Sequence, residues 1–149
     1  MCKVPGQNSD ADRFSLRFQA TELEARRVLS EFAEFLETLC LRPAKAVDIE
    51  IAVAEAINNV VEHAYAKQEN GEIRISLHIA TDSLSIALMD QGAPLPDERL
   101  PQGKPADLSG PLGTLPEGGF GWFLIRELAR NVSYSRNLGH NRLKLTFDL

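Results

Sequence analysis

Three short stretches hold side chains whose types and spacing suit chemistry. In EAINNVVEHAY, Glu55, Asn59 and His63 recur every four residues within a segment of helical character. At about 100° per residue they share one side of a helix. Ile49, Val53, Ile57, Val60 and Ala64 form an apolar stripe roughly opposite, fit to pack on a sheet. A solvated face is the ordinary explanation for such a polar stripe. Asn58 and Asn59 argue against it, because asparagine is a mediocre helix former and a face without other duties takes better ones. Second, the apolar run 84–89 ends in Asp90-Gln91-Gly92-Ala93-Pro94. An acidic residue at a strand end, closely followed by glycine, aims a carboxylate into a cleft while the backbone turns away. A plain turn that begins with Asp is the other reading. Third, Gly118-Gly119-Phe120-Gly121 precedes an apolar periodic run. Glycines at a helix N-terminus allow close approach to the free N–H groups, where the helix dipole favours a phosphate. A hinge ahead of the helix competes with that reading.

The elements that must hold these residues follow from periodicity. Residues 13–19 alternate Phe14, Leu16 and Phe18 against polar neighbours, a half-buried strand. Thr21, with Glu24 three residues on, caps a helix expected to run to near 41; its apolar positions Val28, Leu29, Phe32, Leu36 and Leu39 keep helical spacing. Arg42-Pro43 breaks it, and a second helix over 44–67 carries the first stretch. Residues 72–80 and 84–89 alternate as two strands. Residues 91–118 hold six of the eight prolines and five of the ten glycines without periodicity, the mark of a functional or mobile loop. A helix over 120–131 and strands over 132–136 and 142–147 close the chain. The order β-α-α-β-β-loop-α-β-β implies an α+β, two-layer α/β sandwich: a mostly antiparallel sheet with helices on one face, after a loose lead-in over 1–12.

The composition is that of an ordinary globular protein of 149 residues, with 44% hydrophobic and 25% charged residues and a formal net charge of −5. That charge argues against a nucleic-acid footprint, and steering would favour a partner with a basic patch. Cys2 and Cys40 are the only cysteines, too few for a disulfide framework, and no segment offers a signal core or an 18-residue apolar run. The expectation is a reduced, cytoplasmic protein with no membrane partner.

Taken in order, the polar stripe with Asn, the strand-end DxG, the Pro/Gly-rich loop and the GxG that opens a helix resemble the GHKL ATPases, whose nucleotide domain is the Bergerat fold. The chain looks most like the small anti-sigma-factor serine-protein kinases, over roughly residues 14–147. The resemblance implies ATP and Mg²⁺ as cofactors. It implies Asn59 as the Mg²⁺ ligand, a neutral amide oxygen suiting a metal that keeps several waters, and Glu55 as the general base toward the attacking hydroxyl. Asp90 would accept from the adenine amino group, Gly92 would let the base lie on the backbone, and Gly119, Phe120 and Gly121 would offer amides to the phosphates. His63 would lie near the nucleotide, or else be structural or solvent-facing. The lid over the triphosphate would span about 93–118; Lys104 within it is either a γ-phosphate contact or a solvated loop charge. No Walker A pattern competes, since Pro105 follows Gly103-Lys104. Two boxes depart from the wider family: Pro94 stiffens DQGAP, and Gly139-His140 stands where Gly-Thr is common, which removes a hydroxyl from the adenine side.

As the resemblance implies, the function is an ATP-dependent serine/threonine-protein kinase and anti-sigma factor in a partner-switching circuit of transcription and stress response. It would phosphorylate a STAS-domain antagonist, bind a sigma factor or similar output protein, and possess the option of a homodimer. Two alternatives stand beside it: a non-catalytic ATP-binding switch module that binds the same partners, and an interaction domain without nucleotide.

Overall fold

The structure, a computed structural model, describes residues 14–66, 70–103 and 120–149. Five strands form one sheet in the order β1-β2-β3-β5-β4, every neighbouring pair antiparallel: β1 (Phe14–Gln19), β2 (Glu72–Ile79), β3 (Ser83–Asp90), β4 (Asn131–Asn137) and β5 (His140–Asp148). Strand alternation decides what each face carries. Phe18, Ile73, Ile75, Leu77, Ile86, Leu88, Leu145 and Phe147 lie in one core with the helices, while the residues between them turn to the other side. The expected sandwich, with helices on one face of an antiparallel sheet, is what forms.

α1 (Glu22–Glu37) starts where expected. Thr21 caps it, its Oγ1 accepting from the Glu24 N–H at 3.2 Å. Only half of a capping box forms, because the Glu24 carboxylate pairs forward with Arg27 at 2.8 Å. Val28, Phe32 and Leu36 are fully enclosed. The helix stops at Glu37, short of residue 41: Thr38 turns its hydroxyl back onto the Phe35 carbonyl, and Cys40 takes a left-handed φ of 52°. Cys40 is disulfide-bonded, so the expectation of reduced thiols fails at this position. Sequence separation cannot show whether a second sulfur comes within bonding reach.

α2 (Pro43–Asn59) begins on the proline itself, whose missing N–H is no loss in a first turn. Ile49, Val53 and Ile57 are fully buried, as the stripe requires, and Ala52 and Ala56 join them. The helix expected as far as 67 changes character at Val60–Ala64, which form a π-helical turn closed by Tyr65 N–H to the Val60 carbonyl. Such single π-turns recur at functional sites. α3 (Phe120–Leu128) is shorter than expected, because Arg130 already donates to Thr146 and Asn131 joins the sheet. β4 and β5 meet at Leu138-Gly139, both at positive φ (50° and 79°), a tight two-residue hairpin turn.

Candidate functional site

The C-terminal end of α2, the end of β3 and the start of α3 converge on one cleft. It encloses a cavity of about 80 Å³ whose walls include Asn59, His63, Asp90, Pro94, Trp122 and Asn141. The sequence-predicted residues are thus brought together in two groups. Asn59, His63 and Asp90 line the cavity. Glu55, half-buried one turn before Asn59, stands against the start of α3: a Cβ at Gly121 would lie 2.6 Å from Glu55 Oε2. Only glycine leaves that carboxylate its position beside the helix N-terminus.

Asn59 carries an unusual feature. Its Nδ2 is buried and, among the described residues, has no hydrogen-bond partner. A buried amide is nearly always satisfied, so this nitrogen on a cavity wall is an exception. His63, in the π-turn, has a side chain 70% exposed beside Glu62, so it stands at the rim. Phe120 is exposed and stacks on Phe123 with centroids 6.4 Å apart. Gly119, Gly118 and Lys104 lie outside the described residues.

Asp90 is 6% exposed at the end of β3. Its Oδ1 accepts from the Gly92 N–H at 2.9 Å and from Asn141 Nδ2 at 2.8 Å. Among the described residues both donors go to Oδ1 and none to Oδ2. Burial is the largest influence on its titration and pushes its pKa above the ordinary carboxylate value; the bonds from Asn141 and Gly92 and the charge of Arg136 oppose that shift.

Gly92 has a structural reason to be glycine. It is buried against the end of the π-turn, where a Cβ would run into the Ala64 carbonyl, and the next N–H, that of Ala93, donates to this carbonyl at 2.8 Å. The DxG turn is therefore bolted to the helix that carries Asn59. Tyr65 adds a second fastening: its hydroxyl donates to the Glu72 carbonyl and accepts from the Gln91 N–H, both at 2.7 Å, while its ring lies on Gly71.

Sequence reasoning missed the residue that organises this end of the cleft. Asn141, 4% exposed, pairs across the sheet with Asp90. Its Nδ2 also reaches the Ala93 carbonyl at 2.9 Å, and its Oδ1 accepts from the Tyr134 hydroxyl at 2.6 Å and Arg136 Nη1 at 2.7 Å. Tyr134 in turn accepts from the Leu95 N–H at 3.2 Å, and Arg136 reaches the Gly92 carbonyl at 3.0 Å. The network beside Asp90 is thus held by a carboxamide one residue past His140. The signal was available: strand alternation puts Asn141 on the same side as Leu143, Leu145 and Phe147, a polar residue on an apolar face. Further along, residues 95–103 are drawn onto α3 by Arg126, whose Nε donates to the Pro101 carbonyl at 2.9 Å, and by Gly103 (φ 75°), which packs on the Phe123 backbone.

A five-stranded antiparallel sheet with helices on one face, a cleft at the end of an Asn-bearing helix and a buried strand-end aspartate define a class. The model of the histidine kinase-like ATPase domain matches residues 18–147, and the chain belongs to that family. Among its relatives, a protein of Oceanobacillus iheyensis named serine-protein kinase RsbW is 40% identical over 93 residues, which are 62% of this chain and 59% of that protein. The serine-protein kinase RsbW of Halalkalibacterium halodurans is 41% identical over 93 residues, 56% of its length. The chain thus matches less than two thirds of the length of these relatives. Among solved structures, the RsbU and RsbW domains of a Mycobacterium tuberculosis protein superpose with a TM-score of 0.61 at 21% identity, covering 90% of this chain and 32% of that one. The histidine kinase domain of an Erythrobacter litoralis blue-light activated histidine kinase gives 0.54 at 17%, covering 89% and 65%. Both likenesses concern the fold.

Proposed function

We propose that this domain is an ATP-dependent serine/threonine-protein kinase of a partner-switching circuit. It transfers the γ-phosphoryl group to a serine of a STAS-domain antagonist and, as an anti-sigma factor, holds a sigma factor or similar output protein in the alternative state. The names of the RsbW relatives support the activity. The observation that carries the reading is a conjunction within one helical turn: the Glu55 carboxylate beside the N-terminus of α3, next to an Asn59 amide with an unsatisfied buried nitrogen.

In this reading ATP lies along the cleft. Asp90 Oδ2 accepts from the adenine amino group, with Asn141, Tyr134 and Arg136 fixing the carboxylate from behind. Phosphates reach the start of α3, where Phe120 and Gly121, with Gly119 before them, offer backbone N–H groups. Residues of about 93–118 serve as the lid, and residues 95–103 anchor its first part to α3 through Arg126. The residues present fit Mg²⁺: Asn59 offers a carboxamide, a hard neutral donor whose oxygen and nitrogen ends are interchangeable in shape. Among the described residues no group of three His, Cys, Asp or Glu side chains could hold a metal, so Asn59 would share the ion with phosphates and waters. When bound, the ion neutralises developing phosphate charge. Glu55 orients the acceptor serine and takes its proton as it attacks. Among the described residues no helix is long and apolar enough to cross a membrane. A sigma-factor circuit places the chain in the cytoplasm, where the Cys40 disulfide would belong to an oxidised form.

The test is phosphoryl transfer from labelled ATP, with Mg²⁺, to a cognate STAS protein. Transfer by the wild type and none by Glu55→Ala supports the assignment. Equal transfer by both removes Glu55 from the reaction. ATP binding with no transfer to any partner selects the non-catalytic switch module instead.

A further inference from the structure

The face of the sheet turned away from the helices carries charge that the fold does not use. Register puts Arg17 of β1 directly across from Arg74 of β2; Arg74 pairs with Met89, Met89 with Arg142, and Arg142 with Ser135. Lys144 lies in the adjacent row on β5, between Ala87 and Ser133. Alternation turns all four cations to one side, since Phe18, Ile73, Ile75, Leu143 and Leu145 beside them are buried under the helices. Among the described residues none of the four takes part in an ion pair. Arg74 Nε is buried and without a hydrogen-bond partner. Among the described residues, Asp148 on this face is taken by Arg130 at 2.5 Å, while Glu72 and the strand-end Asp90 border the cavity beside Arg17 and Arg74, with His140 at its margin.

Like charges directly opposite on neighbouring strands oppose sheet formation, and a buried unsatisfied guanidinium nitrogen adds to that penalty. A chain with a net charge of −5 has no compositional need to gather cations here. We propose that this band docks an acidic segment of a protein partner. The cations stand on β1, β2 and β5, with β3 between the last two, a span of about 14 Å at the usual strand spacing, too far apart to converge on one small anion. Two shallow cavities follow the band. One of about 510 Å³ is bordered by Arg17, Arg74 and His140, and one of about 270 Å³ by Arg142, Lys144 and two serines. Met89 stands between Arg74 and Arg142, and the neighbouring row carries the small side chains Ser76 and Ala87 beside Lys144. Four cations with a glutamate among them, on an acidic chain, are a poor match for a phosphate polymer. Asp90, at the end of β3, borders the larger cavity as well as the cleft, but Arg17, Arg142 and Lys144 take no part in the cleft wall that holds Asn59, so a partner on them and ATP can be held together.

The test titrates the full chain with a fluorescein-labelled octaglutamate, read by anisotropy at low salt, beside an octaglutamine of the same length. Octaglutamate should bind, more weakly as salt is raised, and octaglutamine should not. The double variant Arg17→Gln/Arg142→Gln changes two exposed side chains and should weaken binding at least tenfold, with ATP binding unaltered. Should its thermal transition be lost, Lys144→Gln serves instead, with a severalfold loss expected. Equal binding of the two peptides, or undiminished binding by a folded variant, overturns the proposal. Tighter binding of a 20-nucleotide single-stranded DNA would assign the band to nucleic acid. A dimer in sedimentation that the double variant dissolves would assign it to a second copy of this chain.

Discussion

At the scale of single residues, the cleft separates acid–base demands by burial. Asp90 has its folded pKa raised, chiefly by desolvation, so the fold favours its protonated form. That contribution to stability is complete below the ordinary carboxylate value and is lost as pH rises through the raised folded value. At neutral pH the buried charge therefore opposes folding. Asp90→Asn keeps the Oδ1 acceptor for Gly92 and Asn141 and removes the charge. Its melting temperature should equal or exceed that of the wild type at pH 7, with any advantage shrinking as pH falls toward about 4, read by calorimetry across that range. In the proposed reading, the same substitution puts a donor where the adenine amino group would need an acceptor. ATP affinity should fall by roughly tenfold to a hundredfold, the usual worth of a hydrogen bond to a charged group. A variant that is both less stable at pH 7 and normal in ATP binding would contradict both halves of this account. Glu55 is expected to behave in the opposite manner: Glu55→Gln should leave ATP affinity within about twofold and lower phosphoryl transfer by about 10²-fold or more, as loss of a general base does. Isothermal titration and single-turnover labelling separate the two.

At the scale of elements, two glycines record how closely the pieces approach. Gly92→Ala would drive a methyl group into the Ala64 carbonyl, part of a backbone fixed by the Ala93 N–H. Overpacking against a rigid neighbour costs about 1–3 kcal/mol, so the urea midpoint should fall with the slope unchanged. Gly121→Ala meets only the far end of the Glu55 side chain, which can swing aside. Its stability should stay close to wild type while phosphoryl transfer drops, because the carboxylate is displaced. These contacts explain what was and was not legible in the sequence. The alternation of Phe14-Leu16-Phe18, the Thr21 cap and the Ile49-Val53-Ile57 stripe are local patterns, and each gave its element. The π-turn at Val60–Ala64 left no local pattern, since it answers to the distant DxG turn that packs on it. The early stop of α1 has no sequence mark as strong as a proline or glycine, only Thr38 folding back on Phe35. Asn141 carried a legible signal, a polar residue in phase with Leu143, but beginning the strand at residue 142 hid it. Tyr65, Tyr134 and Arg136 act through partners far along the chain, and nothing in their own neighbourhoods announces that role.

At the scale of the whole molecule, the sheet is a wall, and the cleft forms where its β3 end, the end of α2 and the start of α3 meet with few covalent ties between them. Tyr65, Asn141 and Arg126 supply hydrogen bonds across those seams, while among the described residues Asn59 Nδ2 has no partner, and in the proposed reading the nucleotide completes the seam. A ligand that completes it must stabilise the assembly as a unit. With free ATP at about 100 times its dissociation constant, binding adds about 2.7 kcal/mol, a rise of roughly 5–10 °C in melting temperature for a domain of this size. Trp122, which is 8% exposed and forms part of the cavity wall, should report the same event through a change in emission. The two signals should saturate together as Mg-ATP is titrated, and Asp90→Asn should shift both midpoints to higher concentration by the same factor. If melting temperature rises while Trp122 stays silent, the nucleotide is held elsewhere on the chain and the cleft loses its assignment. If both respond equally in the wild type and in Asp90→Asn, the cleft keeps the ligand but Asp90 does not read the base.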